Sequence, residues 1–332
     1  MNRINTPLCL FLALCTSVLI FGCNFNDKKD AEEADKNEMA GEATVKSASP
    51  ERGKKNPGIT DVVTTSMEFK TLDEVSSGWN TFRYKNQSNE THFLLVEKYP
   101  EGKGIENARK ELAPPFQEGM NFLVEGKNEE AMKAFEKIPA WFSEVEMYGG
   151  TGLISPKSTA QSTIFMEPGT YILECYVKMP NGVFHSMEGM LKEIRVTKDS
   201  TDMPEPTADY RISISSEKGI IVPSNIKAGE HTFAVHFESQ KKHENFNWHD
   251  VHLVWVDEGA DIEKLNEWMN WANPTGLQTP SPEGFKFLGG SQEMAAGKTG
   301  YFKVNLRPGN YALVSEVPDP KSKNMLKTFK VQ

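Results

Sequence analysis

The sequence predicts an all-β protein: two β-sandwiches in tandem, each with a helical insertion. Three observations carry this. The chain repeats itself: PGTYILEC at 168–175 matches PGNYALVS at 308–315, and the run ending KYPEG at 98–102 matches the one ending WVDEG at 255–259. Alternation of apolar and polar residues marks strands, as in Thr81-Phe82-Arg83-Tyr84-Lys85 and Phe302-Lys303-Val304-Asn305-Leu306. Turns such as Glu167-Pro168-Gly169 and Arg307-Pro308-Gly309 separate short strands, and few helices intervene.

From the N-terminus, Arg3 precedes an apolar run from Leu8 to Phe21, too short for a comfortable membrane span and suited to a secretory signal over 1–22. Its ending, Leu19-Ile20-Phe21-Gly22-Cys23, resembles the lipobox of bacterial lipoproteins. That resemblance implies lipidation of Cys23 and attachment to a membrane through acyl chains, in the cell envelope, at the outer membrane or facing the periplasm. Residues 23–58 are rich in Asp, Glu, Lys, Ala and Ser and nearly free of large apolar side chains, which predicts a disordered tether. Random-coil scaling gives some 30 residues a span of roughly 30 Å.

Charge and cysteine usage narrow the function. Net charge is −9, and loss of Arg3 with the signal takes it to about −10. No basic patch is evident, which argues against nucleic acid or anionic lipid as a partner. Of four cysteines, Cys9 and Cys15 lie in the signal and Cys23 is the lipid site, leaving Cys175 alone in the folded region. An unpaired thiol in an oxidising compartment is a liability unless buried or ligated.

Two units follow, 59–197 and 208–332, each long enough to bury its own core, with the Pro- and Asp-containing stretch 198–207 as linker. The helical insertion of the first unit is placed at 105–137, where EEAMKAFEK has helical spacing; that of the second is shorter, at 261–271. The pairs Gly149-Gly150 and Gly289-Gly290 fall at equivalent places and read as architecture.

The ligand-type residues come next. Phe82 and Asn86 precede His92, which opens the apolar run Phe93-Leu94-Leu95-Val96; later come Pro168-Gly169-Thr170-Tyr171, Cys175, His185 and Met190, with a final strand from about Leu191. This order resembles the cupredoxin family, the Greek-key sandwiches of plastocyanin and azurin, and each repeat is similar to one such domain in its strand core. The resemblance implies one copper ion in the first domain, with His92, Cys175, His185 and Met190 as ligands, for electron transfer or copper handling with a redox protein partner. A thiolate and two imidazoles with a weak axial thioether suit copper that cycles between two oxidation states. The chain departs from the small cupredoxins in its long loop between Cys175 and His185, which leaves the second imidazole less constrained and is closer to the copper nitrite reductases. Met187 competes with Met190 as the thioether.

In the second unit Ser315 replaces the cysteine, and only Met325 and His252 remain as metal-type residues, so this domain is read as metal-free and its histidines as a solvated loop. Enzyme signatures are lacking: there is no G-x-S-x-G elbow, no phosphate-binding glycine loop and no C-x-x-C pair, and the ligands of a reductase's all-histidine copper site cannot be assigned. A second reading stays open, a metal-free tandem sandwich of the envelope acting as a scaffold or binding module for protein or glycan. Exposed rings at Trp248, Trp255, Trp268 and Trp271 would favour the glycan version.

Overall fold

The computed structural model describes residues 58–243, 248–271 and 273–332. The signal, Cys23 and nearly all of the tether lie outside the described residues. The first repeat contributes β1 (Ile59–Thr64), β2 (Glu74–Asn86), β3 (His92–Tyr99), β4 (Glu146–Ile154), β5 (Ser158–Met166), β6 (Gly169–Glu174) and β7 (Leu191–Ser200). The second contributes β8 (Tyr210–Ser215), β9 (Gly219–Ile221), β10 (Gly229–Phe237), β11 (Val251–Val256), β12 (Phe285–Ser291), β13 (Thr299–Leu306), β14 (Gly309–Val314) and β15 (Leu326–Val331). Both insertions are helical: α1 (Ile105–Asn107), a π segment (Ala108–Leu112), α2 (Ala113–Val124) and α3 (Asn128–Phe135) in the first repeat, α4 (Ile262–Trp268) in the second.

Each strand follows its pattern. Along β2, Phe82 and Tyr84 point into the core while Arg83 and Lys85 face out and pair with Asp61 on β1. By contrast β3 is buried on both faces from His92 to Glu97, as its unbroken apolar run requires. One face meets the sandwich core. A second apolar cluster, of Tyr99, Ile172 and Leu191 with Leu112, Phe116 and Phe142 of the insertion segment, covers the sheet from outside.

The strands form two layers joined by β2, whose first residues pair with β7 and whose remainder pairs with β5. One layer runs β15-β14-β11-β12-β4-β3-β6-β7, the other β2-β5-β13-β10-β8-β9. After β3 and β4, an antiparallel pair joined through the helical insertion, the chain crosses to β5 in the other layer and returns as β6 beside β3, the return connection of a Greek key. The described residues therefore form a mostly β, two-layered fold in both halves, each half with its helical insertion.

Both layers run through both repeats. Strand β4 pairs with its own counterpart β12, and β5 with its counterpart β13. Thr151 opposes Ser291 and Ser162 opposes Phe302, each residue facing its repeat equivalent, so the halves meet as an isologous pair would. The glycine pairs serve this strand layout. Gly150 and Gly290 have φ of 128° and 134°, and a Cβ would stand 1.9 Å from the Leu94 carbonyl oxygen and 2.0 Å from that of Val251. Each repeat also closes a turn in the same way: Tyr171 donates its hydroxyl to Glu167 O and Tyr311 to Arg307 O, both at 2.9 Å.

Candidate metal centre

The end of β2 builds the first half of the site. Buried Asn86 donates through Nδ2 to the carbonyl of Glu90 at 2.7 Å, and to Ile154 and Ser155. Its Oδ1 accepts from the Ser88 backbone and hydroxyl at 3.0 and 2.7 Å. That hydroxyl, having given its proton away, accepts from His92 Nε2 at 2.9 Å. The contact places the His92 proton on Nε2 and leaves Nδ1 with its lone pair facing inward.

The second half comes from the segment after β6. Cys175 hangs from the end of that strand, tied by its N–H to Met190 O at 3.2 Å. The long loop that follows is fastened at several points, which answers the lack of constraint its length suggests. His185 N–H donates to Val177 O and Met179 N–H to Val183 O, closing a hairpin. Gln117 of α2 accepts from Phe184 N–H at 2.8 Å and donates to Gly182 O at 3.2 Å. From the second repeat, Leu277 O accepts the Lys178 N–H, and Thr279 N–H donates to Lys178 O. Phe184 stacks on Trp271, their planes 10° apart.

Three donor atoms converge. His92 Nδ1 and His185 Nδ1 are 3.0 Å apart, and Cys175 Sγ is 3.8 Å from the first and 3.7 Å from the second. All three side chains are buried. An ion about 2.0 Å from nitrogen and about 2.3 Å from sulfur, at a trigonal angle, separates S from N by about 3.7 Å. The triangle therefore fits a late first-row ion.

Burial dominates the electrostatics. It pushes the imidazoles down, His92 to about 2 with help from the facing His185, and His185 to about 3, so both are neutral. It pushes the Cys175 thiol up to about 12. The Nε2 of His185 is buried without a hydrogen-bond partner, and its Nδ1, 3.0 Å from the His92 Nδ1 lone pair, donates to it in the metal-free site, so ligation moves that ring's proton to Nε2.

Met190 is fully buried, and its N–H donates to His185 O at 2.9 Å, so its main chain ties the cysteine strand to the histidine turn. Met187 is 42 % exposed and lies at the surface, which removes it as a competitor.

The second repeat differs from its sequence reading. Register places His249, not His252, at the position of His92: Val251 and Leu94 carry the carbonyls against the equivalent glycines, and each histidine lies two residues earlier. His252 instead matches Leu95, each opposite the second glycine of its pair. Register shifts in these pairings, one between β11 and β12 and two between β3 and β4, hid this alignment. Nor are these histidines solvated, since His249 and His252 are fully buried. Ser315 stands where Cys175 does and, with the Glu316 N–H, donates to Asp250 Oδ1. Of the four tryptophans, Trp248 is partly exposed and the other three are covered. Trp268 and Trp271 are 8 % and 4 % exposed, and Arg307 covers half-buried Trp255 at 4.0 Å.

No family model and no curated protein matches the chain. Among solved structures it is similar to a dithionite-reduced auracyanin from Roseiflexus castenholzii (19 % identity, 42 % of this chain and 95 % of that one, TM-score 0.26). It is also similar to auracyanin A, a "blue" copper protein of Chloroflexus aurantiacus (20 %, 42 % and 98 %, TM-score 0.26). A copper nitrite reductase from Nitrosomonas europaea is matched at 12 % identity over 82 % of this chain and 93 % of that one, with TM-score 0.22. Identities and scores this low carry no argument about function, which rests on the donor geometry. The geometry and the strand order describe β-sandwich repeats in tandem, the first carrying a buried His-Cys-His group spaced to hold a metal ion.

Proposed function

We propose that the protein binds one copper ion through His92 Nδ1, His185 Nδ1 and Cys175 Sγ, with Met190 as axial thioether, and passes electrons to and from a redox protein in the cell envelope, tethered there through Cys23. The observation that carries this is the convergence of a thiol and two imidazole nitrogens within 3.8 Å in a buried pocket. Bound copper would supply a one-electron couple with little change of geometry between its two states. The chain's part is to hold the donors in place: Asn86 and Ser88 fix His92, Gln117 and the second repeat fix the His185 turn, and the core excludes water.

Complete burial favours electron transfer over copper delivery, because handing over an ion requires a ligand within reach of the acceptor. The two are separated by reducing the copper-loaded protein in the presence of a cuprous chelator. Reversible bleaching of the colour with the ion retained supports electron transfer; loss of copper to the chelator within minutes supports delivery.

A further inference from the structure

We propose a second metal site, in the second repeat, where the Nε2 atoms of His243 and His249 hold a late first-row divalent ion that keeps open positions for water. The inference does not depend on copper binding by the first repeat. The two Nε2 atoms face each other at 3.0 Å, with the ring centroids 5.2 Å apart. An ion about 2.0 Å from each nitrogen would meet them at an angle of about 97°, between the values for adjacent positions of a square-planar and a tetrahedral shell.

The chain prepares His249 for this role. Its Nδ1 meets Ser239 O at 3.3 Å, and a carbonyl only accepts, so the neutral ring carries its proton on Nδ1 and turns the Nε2 lone pair to His243. A backbone carbonyl on the far nitrogen is a common outer partner of a ligating imidazole, because it fixes both tautomer and ring orientation. Gln240 pins the main chain beside it. Its Oε1 accepts from His249 N–H at 2.8 Å, and its Nε2 donates to His249 O at 2.9 Å and to Met294 O at 2.7 Å. In the metal-free chain His243 Nε2 donates to His249 Nε2, and ligation moves that proton to His243 Nδ1.

His249 is turned the opposite way from its counterpart. His92 is held through Nε2 and presents Nδ1 inward, whereas His249 is held through Nδ1 and presents Nε2 to His243. His249 is fully buried and His243 half-buried, so solvent reaches the pair from the His243 side. Among the described residues no third His, Cys, Asp or Glu donor joins the pair within 4.8 Å, which leaves the other positions on an ion to water. The exchange of cysteine for Ser315 does not bear on this site, which makes no use of that position.

Imidazole donors suit Cu²⁺, Ni²⁺ and Zn²⁺, with Cu²⁺ held most tightly. The Asp250, His252 and Glu316 group is a poorer candidate, although its donor atoms lie within 4.8 Å of one another. His252 Nδ1 accepts from Leu153 N–H at 2.9 Å, so its Nε2 carries the proton it donates to Asp250 and has no lone pair to offer.

The test is titration of the full chain with Cu²⁺ at about pH 7.5, read by continuous-wave and pulsed electron paramagnetic resonance. A copper–thiolate bond narrows the copper hyperfine splitting and an imidazole-and-water shell does not, so the two sites separate in the spectrum. The expected result is an ion with a tetragonal spectrum and modulation from the remote nitrogens of two imidazoles, weakened at least about tenfold in His243→Ala and in His243→Asn, which keeps a hydrogen-bond donor but no imidazole. The same His243-dependent ion is expected in Cys175→Ser, so failure of copper to bind at the thiol and failure of this site are separate results. No such ion up to about 1 mM Cu²⁺, one that survives both His243 substitutions, or one lost in Cys175→Ser would overturn the proposal.

Discussion

At Ser88 a single hydroxyl decides which nitrogen of His92 is free. It accepts from Nε2 and is itself turned by Asn86, so Ser88→Ala should leave the fold intact and weaken copper binding by about 10- to 100-fold, as loss of an outer hydrogen bond to a ligating imidazole does. A competition titration against a chelator of known affinity checks it. The thiol sets a second expectation. With Cys175 held up to about 12 and the imidazoles down to about 2 and 3, the metal-free site at neutral pH holds one proton on sulfur that must leave for the thiolate to form, and no extra proton on either imidazole. Copper binding should therefore release about one proton, and affinity should rise about tenfold per pH unit between pH 5 and 8. Calorimetry in buffers of different ionisation enthalpy measures the proton directly. The convergence of His92, Cys175 and His185 was legible because their order along the chain resembles a family pattern. Ser88 was not, since nothing in QSNE shows which polar side chain turns inward.

At the scale of elements, both helical insertions fall where the sequence places them, but the work of the first was hidden. Helix α2 brings Gln117 against the turn carrying Phe184 and His185, a contact between residues 67 positions apart. Loop length is visible in sequence; what fastens a loop is a tertiary fact. Gln117→Ala removes two hydrogen bonds to buried backbone groups and should destabilise the protein by about 1–3 kcal/mol. It should also broaden the electron paramagnetic resonance lines of the copper-loaded protein, because His185 gains freedom. A surface substitution on the same insertion, Glu118→Gln, should do neither. An unchanged spectrum and melting temperature in Gln117→Ala would show that the hairpin holds itself.

Across the whole molecule, the repeat was legible, and so was the exchange of Cys175 for Ser315 that separates the two halves. How the halves join was not, because edge pairing of β4 with β12 and β5 with β13 leaves no periodic mark beyond that of ordinary strands. The same junction positions Trp271, Asn273, Leu277 and Thr279 against the Cys175–His185 loop. A fragment covering 59–197 should therefore self-associate through the uncovered edges of β4 and β5, as size-exclusion chromatography with light scattering would show, and should bind copper less uniformly than the intact protein. The central claim, that a buried His92, Cys175 and His185 triad takes up copper, is tested most directly by titrating the full chain with Cu²⁺ while recording visible absorption, beside Cys175→Ser. A copper-binding triad gives an intense thiolate-to-copper charge-transfer band that saturates at one ion per chain and is missing from the variant; a folded protein with a reduced thiol and no such band would show that the triad does not take up copper.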